Sequence, residues 1–332
     1  MKKKVMITGG AGYVGSALVP YLLKLGYEVT VLDLFIYGDT FFDKNAPFLH
    51  LVKGDIRDQE LLYSLFRNQD ILIHLACISN DPSFDLNPNL GKSINYDAFK
   101  CILRAIKESA IQRFIYASSS SVYGVRTEDK VIETTPCDPL TDYSKYKLLC
   151  ETMLQEEELK NCDYTILRPA TVCGYAPRLR LDLTVNILTI HALVSKKMTV
   201  LGGNQLRPHI YIEDIVEAYC LLLEAPREKI AYEVFNAGYE NRSVLSTAQL
   251  IQKQLSKKGM KNIELVIEPT NDHRSYYIDS SKIQRILCFK PQYSLENAVD
   301  SLIHAYQDKK IIRPLENPLY YNIKRMKEIN LV

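Results

Sequence analysis

The sequence has almost no net charge. Across 332 residues, 41 Lys and Arg stand against 39 Asp and Glu, a formal balance of +2. That removes the electrostatic case for nucleic acid or an anionic membrane surface as a partner. The Lys2-Lys3-Lys4 run reads as a solvated stretch and not as a binding arm. It leads directly into a strand-like segment, so no secretory leader is expected. No apolar run reaches transmembrane length, and no membrane span is expected. The eight cysteines (Cys77, Cys101, Cys137, Cys150, Cys162, Cys173, Cys220 and Cys288) form no C-x-x-C pair and no His/Cys ligand cluster. A metal site is therefore not expected, and the thiols read as reduced, buried side chains of a cytoplasmic protein. Internal repeats and flexible linkers are also missing. The length permits one large domain or two small ones, and two lobes would have to be interleaved.

What the sequence does contain begins at Val5. VMITGGAGYVG is an apolar run followed by Gly9, Gly12 and Gly15, and then by Leu18, Val19, Tyr21, Leu22 and Leu23 at helical spacing. This predicts a strand, a tight turn and a helix start. Glycines there allow unusual dihedrals, close approach of backbone to a diphosphate, and packing of helix on strand. The helix N-terminus offers free N–H groups to an anion. A second strand ends in Asp33, 18 residues beyond Gly15. A carboxylate at that distance accepts from a ribose 2′-OH and repels a 2′-phosphate, which points to NAD and not NADP.

Downstream, Asp55 and Ile56 are expected to close a third strand. There they could face an adenine, or Asp55 could simply cap the helix expected at 59–67. DILIHLA, residues 70–76, reads as a buried parallel strand with His74 structural. The polar loop 77–89 follows at its carboxyl end, where ligands bind in such sheets. A helix over about 90–110 should carry Asn95. RFIYA, residues 113–117, is a fifth strand that runs into the serines 118–121 and Val122-Tyr123-Gly124. Tyr143 and Lys147 stand four apart at a helix start and share a face. An isolated tyrosine, with a pKa near ~10, is a poor base at neutral pH. A neighbouring ammonium and a cationic nicotinamide favour its phenolate, so Tyr143 could take a proton from a substrate hydroxyl as hydride leaves the carbon. Tyr146 competes for this role but lacks a lysine at that spacing.

With TGxxGxxG, Asp33, the serine run and YxxxK in this order, the chain closely resembles the extended short-chain dehydrogenase/reductases. Within them it resembles the NAD-dependent nucleotide-sugar epimerase/dehydratase family, of the UDP-glucose 4-epimerase kind, from residue 4 to about residue 305. The resemblance implies an α/β fold: a Rossmann-type, doubly wound parallel sheet with a smaller, discontinuous substrate-binding lobe. The NAD-binding part would span 1–175 and about 210–240, and the nucleotide-sugar lobe about 176–209 and 241–332. The implied catalytic set is Ser119, Tyr143 and Lys147. The implied cofactor contacts are Gly9, Gly12, Tyr13, Val14, Gly15, Asp33, Asp55, Ile56, Leu75, Ala76, Asn95, Ser118, Tyr143, Lys147 and Pro169. Substrate contacts would come from Ser120, Thr171, Arg178, Asn186, Arg207 and Arg274. Family 4,6-dehydratases carry an acid directly after the position of Ser119, and this chain has Ser120-Ser121, which disfavours that reaction.

Several segments of the second half match the family in outline only. LRPATVCG, residues 167–174, looks like the family's LRxxNVYG strand with Thr171 in place of the asparagine. Residues 177–186 would supply a substrate lid. Arg207 and Arg274 would clamp a diphosphate with charge-assisted bonds. A helix at 212–223, a strand at 233–236 returning to the cofactor domain, and helices at 246–258 and 294–309, the last capped by Ser294, complete the pattern. The tail beyond Arg313 suggests no role. The resemblance also implies a homodimer through the helices at about 90–108 and 143–160. It leaves open an epimerase that returns the hydride, a C4 dehydrogenase that releases the keto sugar and NADH, a reductase, and a non-catalytic relative.

Overall fold

A computed structural model describes residues 2–126, 130–270 and 275–331. Its strands in chain order are β1 (Lys4–Thr8), β2 (Glu28–Asp33), β3 (Leu49–Lys53), β4 (Ile71–His74), β5 (Arg113–Ala117) and β6 (Asp163–Pro169). Then come β7 (Thr171–Cys173), β8 (Lys197–Leu201), β9 (Leu206–Tyr211), β10 (Glu233–Ala237), β11 (Glu240–Ser243) and β12 (Glu264–Glu268). Seven of them form one sheet in the order β10-β6-β5-β4-β1-β2-β3, with every pair parallel. The order reverses between β1 and β4, and a crevice opens at the strand ends there, as the doubly wound rule requires. β1 and β4 are apolar along their length because helices cover both faces.

Helix Tyr13–Lys24 covers one face with Leu18, Val19 and Leu22. Helices Gln59–Phe66, Ala98–Lys107 and Asp142–Glu156 contribute Leu62, Phe66, Phe99, Ile102, Cys150 and Leu154 to the core on the other. Burying each large apolar side chain contributes about 1.5–3 kcal/mol. The remaining strands form the sheet β11-β9-β7 and the pair β12-β8. Helices Thr184–Ser195, Val244–Lys257 and Leu295–Gln307 pack beside them. The last is capped as expected by Ser294, in a reciprocal pair with Asn297.

Three details differ from the sequence reading. The helix expected over 90–110 is broken: Pro88–Lys92 and Ala98–Lys107 are α-helical, and Ser93–Asp97 between them is a π-helical turn. Such a wide turn sets Asn95 where it bridges to the loop after β4. The third strand stops at Lys53, so Asp55 and Ile56 lie just past it. Asp58, not Asp55, caps the next helix by accepting from Leu61 N at 3.0 Å, while Asp55 pairs with Arg57 at 2.6 Å. Of the cysteines, Cys150, Cys162, Cys173 and Cys220 are buried, Cys77, Cys101 and Cys137 are half-buried and Cys288 is exposed. All eight are free thiols.

His74 is structural in placement: its Nδ1 lies 2.6 Å from the Thr8 hydroxyl and its ring stacks on Tyr116. Burial drives its pKa down to about 3, and that of buried His209 down to about 4. Unfolded histidine titrates near ~6.5. Below that pH the unfolded chain binds protons that the folded chain refuses, so stability falls as pH falls, by up to about 1.4 kcal/mol per pH unit for each ring. Burial raises the carboxyls of Asp33, Glu133 and Asp214, which act in the opposite direction nearer the carboxylate range. The histidine slope is therefore expected to be cleanest around pH 6. Urea midpoints on either side of that value check it, and a flat profile contradicts it.

Candidate active site

The crevice is a cavity of about 910 Å³ at the strand ends, closed on the other side by residues of 178–188 and 199–207. Gly9, Gly12, Tyr13, Val14 and Gly15 line one side. Two of these glycines are required by contact. Gly9 has φ +74°, and a Cβ there would sit 2.5 Å from Ala76 N. A Cβ on Gly15 would collide with the Gly10 carbonyl, because the helix starts directly against the turn. Gly15→Ala is accordingly expected to abolish NAD binding and lower the melting temperature, which calorimetry with and without NAD would read.

Asp33 lines the cavity at the end of β2. Its carboxylate accepts from Ala11 N at 2.9 Å and Phe35 N at 2.8 Å, which fixes it beside the turn. Burial raises its pKa, and those N–H groups and the Arg178 charge pull it back. Asp55, Ile56, Leu75 and Ala76 continue the same wall. Glycine turn, helix N-terminus and ribose-facing carboxylate together fit a dinucleotide.

At the other end the cavity is lined by Ser118, Ser119, Ser120, Tyr143, Lys147, Pro169 and Thr171. Helix Asp142–Glu156 is fixed at its start by Thr141, whose hydroxyl accepts from Ser144 N, in a capping box with Ser144. That aims Tyr143 into the cavity. Tyr146 points elsewhere, stacked on Phe84 and tilted against Tyr96 at 5.5 Å. Ser119 interacts with the Tyr143 phenol and favours its ionised form, and Ser119 Oγ lies 2.9 Å from Ser121 Oγ.

Lys147 is buried, and its ammonium donates to Ala117 O at 2.6 Å. The expectation that Lys147 lowers the Tyr143 pKa meets a different balance here. Burial pushes the phenol well above its ordinary value, Cys77 and Asp81 push the same way, and the cation that opposes them is Arg180. Arg180 was missed as a single residue within the stretch 177–186. It is held by Asp182 at 2.9 Å, and Asp182 also accepts from Asn80 Nδ2 at 3.1 Å. Asn80 has φ +74° and ψ 156°, a region that non-glycine residues enter only under constraint.

Other expected residues are placed differently. Asn95 does not line the cavity; its amide brackets Ile78, accepting from its N–H at 2.8 Å and donating to its carbonyl at 2.9 Å. Asn186 is likewise behind the wall, accepting from Gly174 N at 2.9 Å and donating to Arg180 O at 2.9 Å. Arg178, grouped by resemblance with the substrate contacts, sits at the cofactor end. Its N–H donates to Ser16 Oγ at 3.1 Å, and its guanidinium lies 3.6 Å from the centre of the Tyr37 ring. Ser118 lines the cavity but its hydroxyl bonds Glu151. Ser120 Oγ lies 3.4 Å from Tyr276 OH, and Arg207 lines the substrate side and bonds Leu206 O at 3.1 Å. Arg274 lies outside the described residues.

Behind Ser118, which bonds Glu151, lies a buried polar cluster that sequence reasoning also missed. Arg168 donates to both oxygens of Glu151, at 3.0 Å and 2.6 Å, and the two side chains are 6% and 1% exposed. Arg168 Nη1 also donates to Tyr123 OH at 2.8 Å, and that hydroxyl donates to Asn236 Oδ1 at 2.8 Å. The sequence signal was a charged residue, Arg168, at the end of the buried strand β6.

Comparison with known proteins agrees with this geometry. Residues 5–238 match the model of the NAD dependent epimerase/dehydratase family. An uncharacterized UDP-glucose epimerase, YtcB, of Bacillus subtilis is 32% identical, over 90% of this chain and 96% of that protein. A UDP-glucose 4-epimerase of Lactobacillus helveticus is 28% identical, over 92% and 96%. The crystal structure of UDP-glucuronic acid 4-epimerase from Bacillus cereus, in complex with UDP-glucuronic acid and NAD, superposes with a TM-score of 0.82 at 27% identity, covering 92% of this chain and 99% of that one. The chain thus belongs to the NAD-dependent epimerase/dehydratase family of nucleotide-sugar enzymes, with NAD as its cofactor.

Proposed function

We propose that the protein is a nucleotide-sugar 4-epimerase working through a 4-keto sugar. The observation that carries this reading is the Ser119–Tyr143 pair at the cavity face shared by the cofactor and substrate sides. NAD, when bound, supplies the acceptor for the C4 hydride and its return. Tyr143 removes the proton from the C4 hydroxyl and gives it back. Ser119 holds that oxygen, and Lys147 anchors the helix carrying Tyr143 to the end of β5 while offering its charge to the nicotinamide ribose. Ser120, Thr171 and Arg207 face the sugar nucleotide, with Arg207 on its diphosphate. The residues following Ser119 are hydroxyls and not acids, which supports oxidation and reduction without dehydration. Two relatives named as 4-epimerases support return of the hydride over its release. We further propose that the chain acts in the cytoplasm as a homodimer. Among the described residues no helix is long and apolar enough to cross a membrane.

The test is incubation of protein and NAD with UDP-, GDP-, CDP- and dTDP-sugars, read by absorbance and by analysis of product sugars. A new epimer without net NADH is expected. NADH accumulating over many turnovers would instead mean a dehydrogenase. A second measurement follows the phenol itself. In the cofactor-free protein the Tyr143 hydroxyl should stay protonated beyond pH ~10, and NAD should lower its titration. Ultraviolet difference titration against Tyr143→Phe checks this, and an unshifted titration on adding NAD contradicts the electrostatic role.

A further inference from the structure

The tail beyond Arg313 is the one stretch that the sequence left without a purpose, and it closes over the cofactor end of the cavity. Tyr320 O accepts from Leu181 N at 2.8 Å. Asn322, buried, makes four bonds. Its backbone N–H reaches Asp182 at 3.3 Å, and its Oδ1 accepts from Arg178 Nη2 at 2.6 Å. Its Nδ2 donates to Ser79 O at 3.2 Å and lies 3.0 Å from Ser79 Oγ. One turn on, Arg325 Nε donates to Ile36 O. Met326 is 2% exposed and packs in the core cluster that includes Leu32 and Ile56. Within six residues the tail therefore ties together the loop after β2, the loop after β4, and the segment entering helix Thr184–Ser195. Those are the walls between which the dinucleotide must lie, and Tyr321, Asn322, Met326 and Leu331 line the cavity.

Arg178 gives this closure a chemical purpose. It is 4% exposed, lines the cavity, and its Nε has no hydrogen-bond partner among the described residues. Burial depresses the guanidinium to about 10, against the pull of Tyr37 and Asp182. Its backbone N–H rests on Ser16 in the first turn of the helix Tyr13–Lys24, while the guanidinium lies against Tyr37 and Asn322. A buried guanidinium with a free Nε, on a residue whose backbone rests on the glycine-turn helix, is completed by an anionic oxygen.

We propose that the segment 320–326 is a strap over the bound NAD, and that Arg178, oriented by Asn322 and by the Tyr37 ring, is a cofactor-binding residue directed at its diphosphate. The strap must release Ser79 or Ile36 for the dinucleotide to leave, so it slows exchange of NAD. An enzyme that returns its hydride in each cycle has no need of exchange, and one that releases NADH does. The proposal rests on the NAD site and not on the reaction assigned to it, so it is tested by dissociation and not by turnover.

Wild type, Asn322→Ala, Arg325→Ala and a chain ending at Leu315 would be loaded with NAD, separated from free cofactor, and followed for release. Unfolding of the cofactor-free proteins would be measured in parallel. Release is expected about tenfold faster in Asn322→Ala, as for loss of one charge-assisted bond. It should also be faster in Arg325→Ala, with the cofactor-free melting temperature of both nearly unchanged. The shortened chain should retain least NAD if it folds; if it does not, the two point variants decide. Wild-type release rates in both variants overturn the strap, as does faster release accompanied by an equal loss of cofactor-free stability, which would reduce Asn322 to a structural residue. For Arg178, Arg178→Met should weaken NAD without altering its preference over NADP, and unchanged NAD affinity removes it from the cofactor site.

Discussion

Tyr143→Phe is expected to lower kcat by about 10³-fold, within the range for loss of a positioned acid–base group, and to leave NAD affinity nearly unchanged. The phenol is the cavity group that meets both requirements of the chemistry. It is aimed by a capped helix, and Ser119 beside it favours its ionised form. Phenylalanine keeps the ring and its packing, so the loss isolates the hydroxyl. Ser119→Ala should cost less, about 10²-fold, because the phenol keeps its place while the oxygen loses one partner. Comparing kcat with retained NAD in both variants separates chemistry from binding. Tyr143→Phe turning over at the wild-type rate would falsify the assignment of the base. The same comparison applied to Tyr146→Phe should show little change, since that ring packs between Phe84 and Tyr96.

The largest expected loss of stability is at Glu151. Glu151→Ala leaves the Arg168 guanidinium buried without its carboxylate, which costs about 3–5 kcal/mol for a pair of this kind. Replacing both by apolar side chains of matching volume should cost much less, because the unpaired charge and not the missing attraction dominates. Equilibrium unfolding in urea, with unchanged m-values as the check on two-state behaviour, measures both. A loss in Glu151→Ala as small as that at an exposed ion pair would show the charge to be reached by water. The consequence extends to the site. Glu151 also accepts from Ser118, and Arg168 holds Tyr123 at the end of the serine turn, so a surviving Glu151→Ala protein should place Ser119 less well and show reduced kcat.

How much was legible beforehand follows from what kind of signal each part left. The glycine turn, Asp33 and the strand–helix alternation were readable because local physics fixes them. A left-handed dihedral at Gly9, a helix starting against Gly10 and a buried parallel strand each demand particular residues within a few positions. Tyr143 and Lys147 were readable because helical spacing puts them on one face. The π-helical turn at Ser93–Asp97 left no such signal, since a one-residue widening does not alter the apolar pattern enough to show.

The sequence alone therefore determined the parallel α/β sheet, the glycine turn beside Asp33 and the helical face shared by Tyr143 and Lys147. Tertiary structure decided everything that depends on distant segments meeting. Arg178 moved from the substrate to the cofactor end because Tyr37, Ser16 and Asn322 surround it. Arg180 became the cation opposing burial at Tyr143 because Asp182 fixes it there. The tail gained a place because Asn322 spans to Ser79, 243 residues away in sequence. Electrostatic effects and hydrogen bonds act through space and fall off within a few ångströms, and no spacing along the chain encodes a neighbour that only folding supplies.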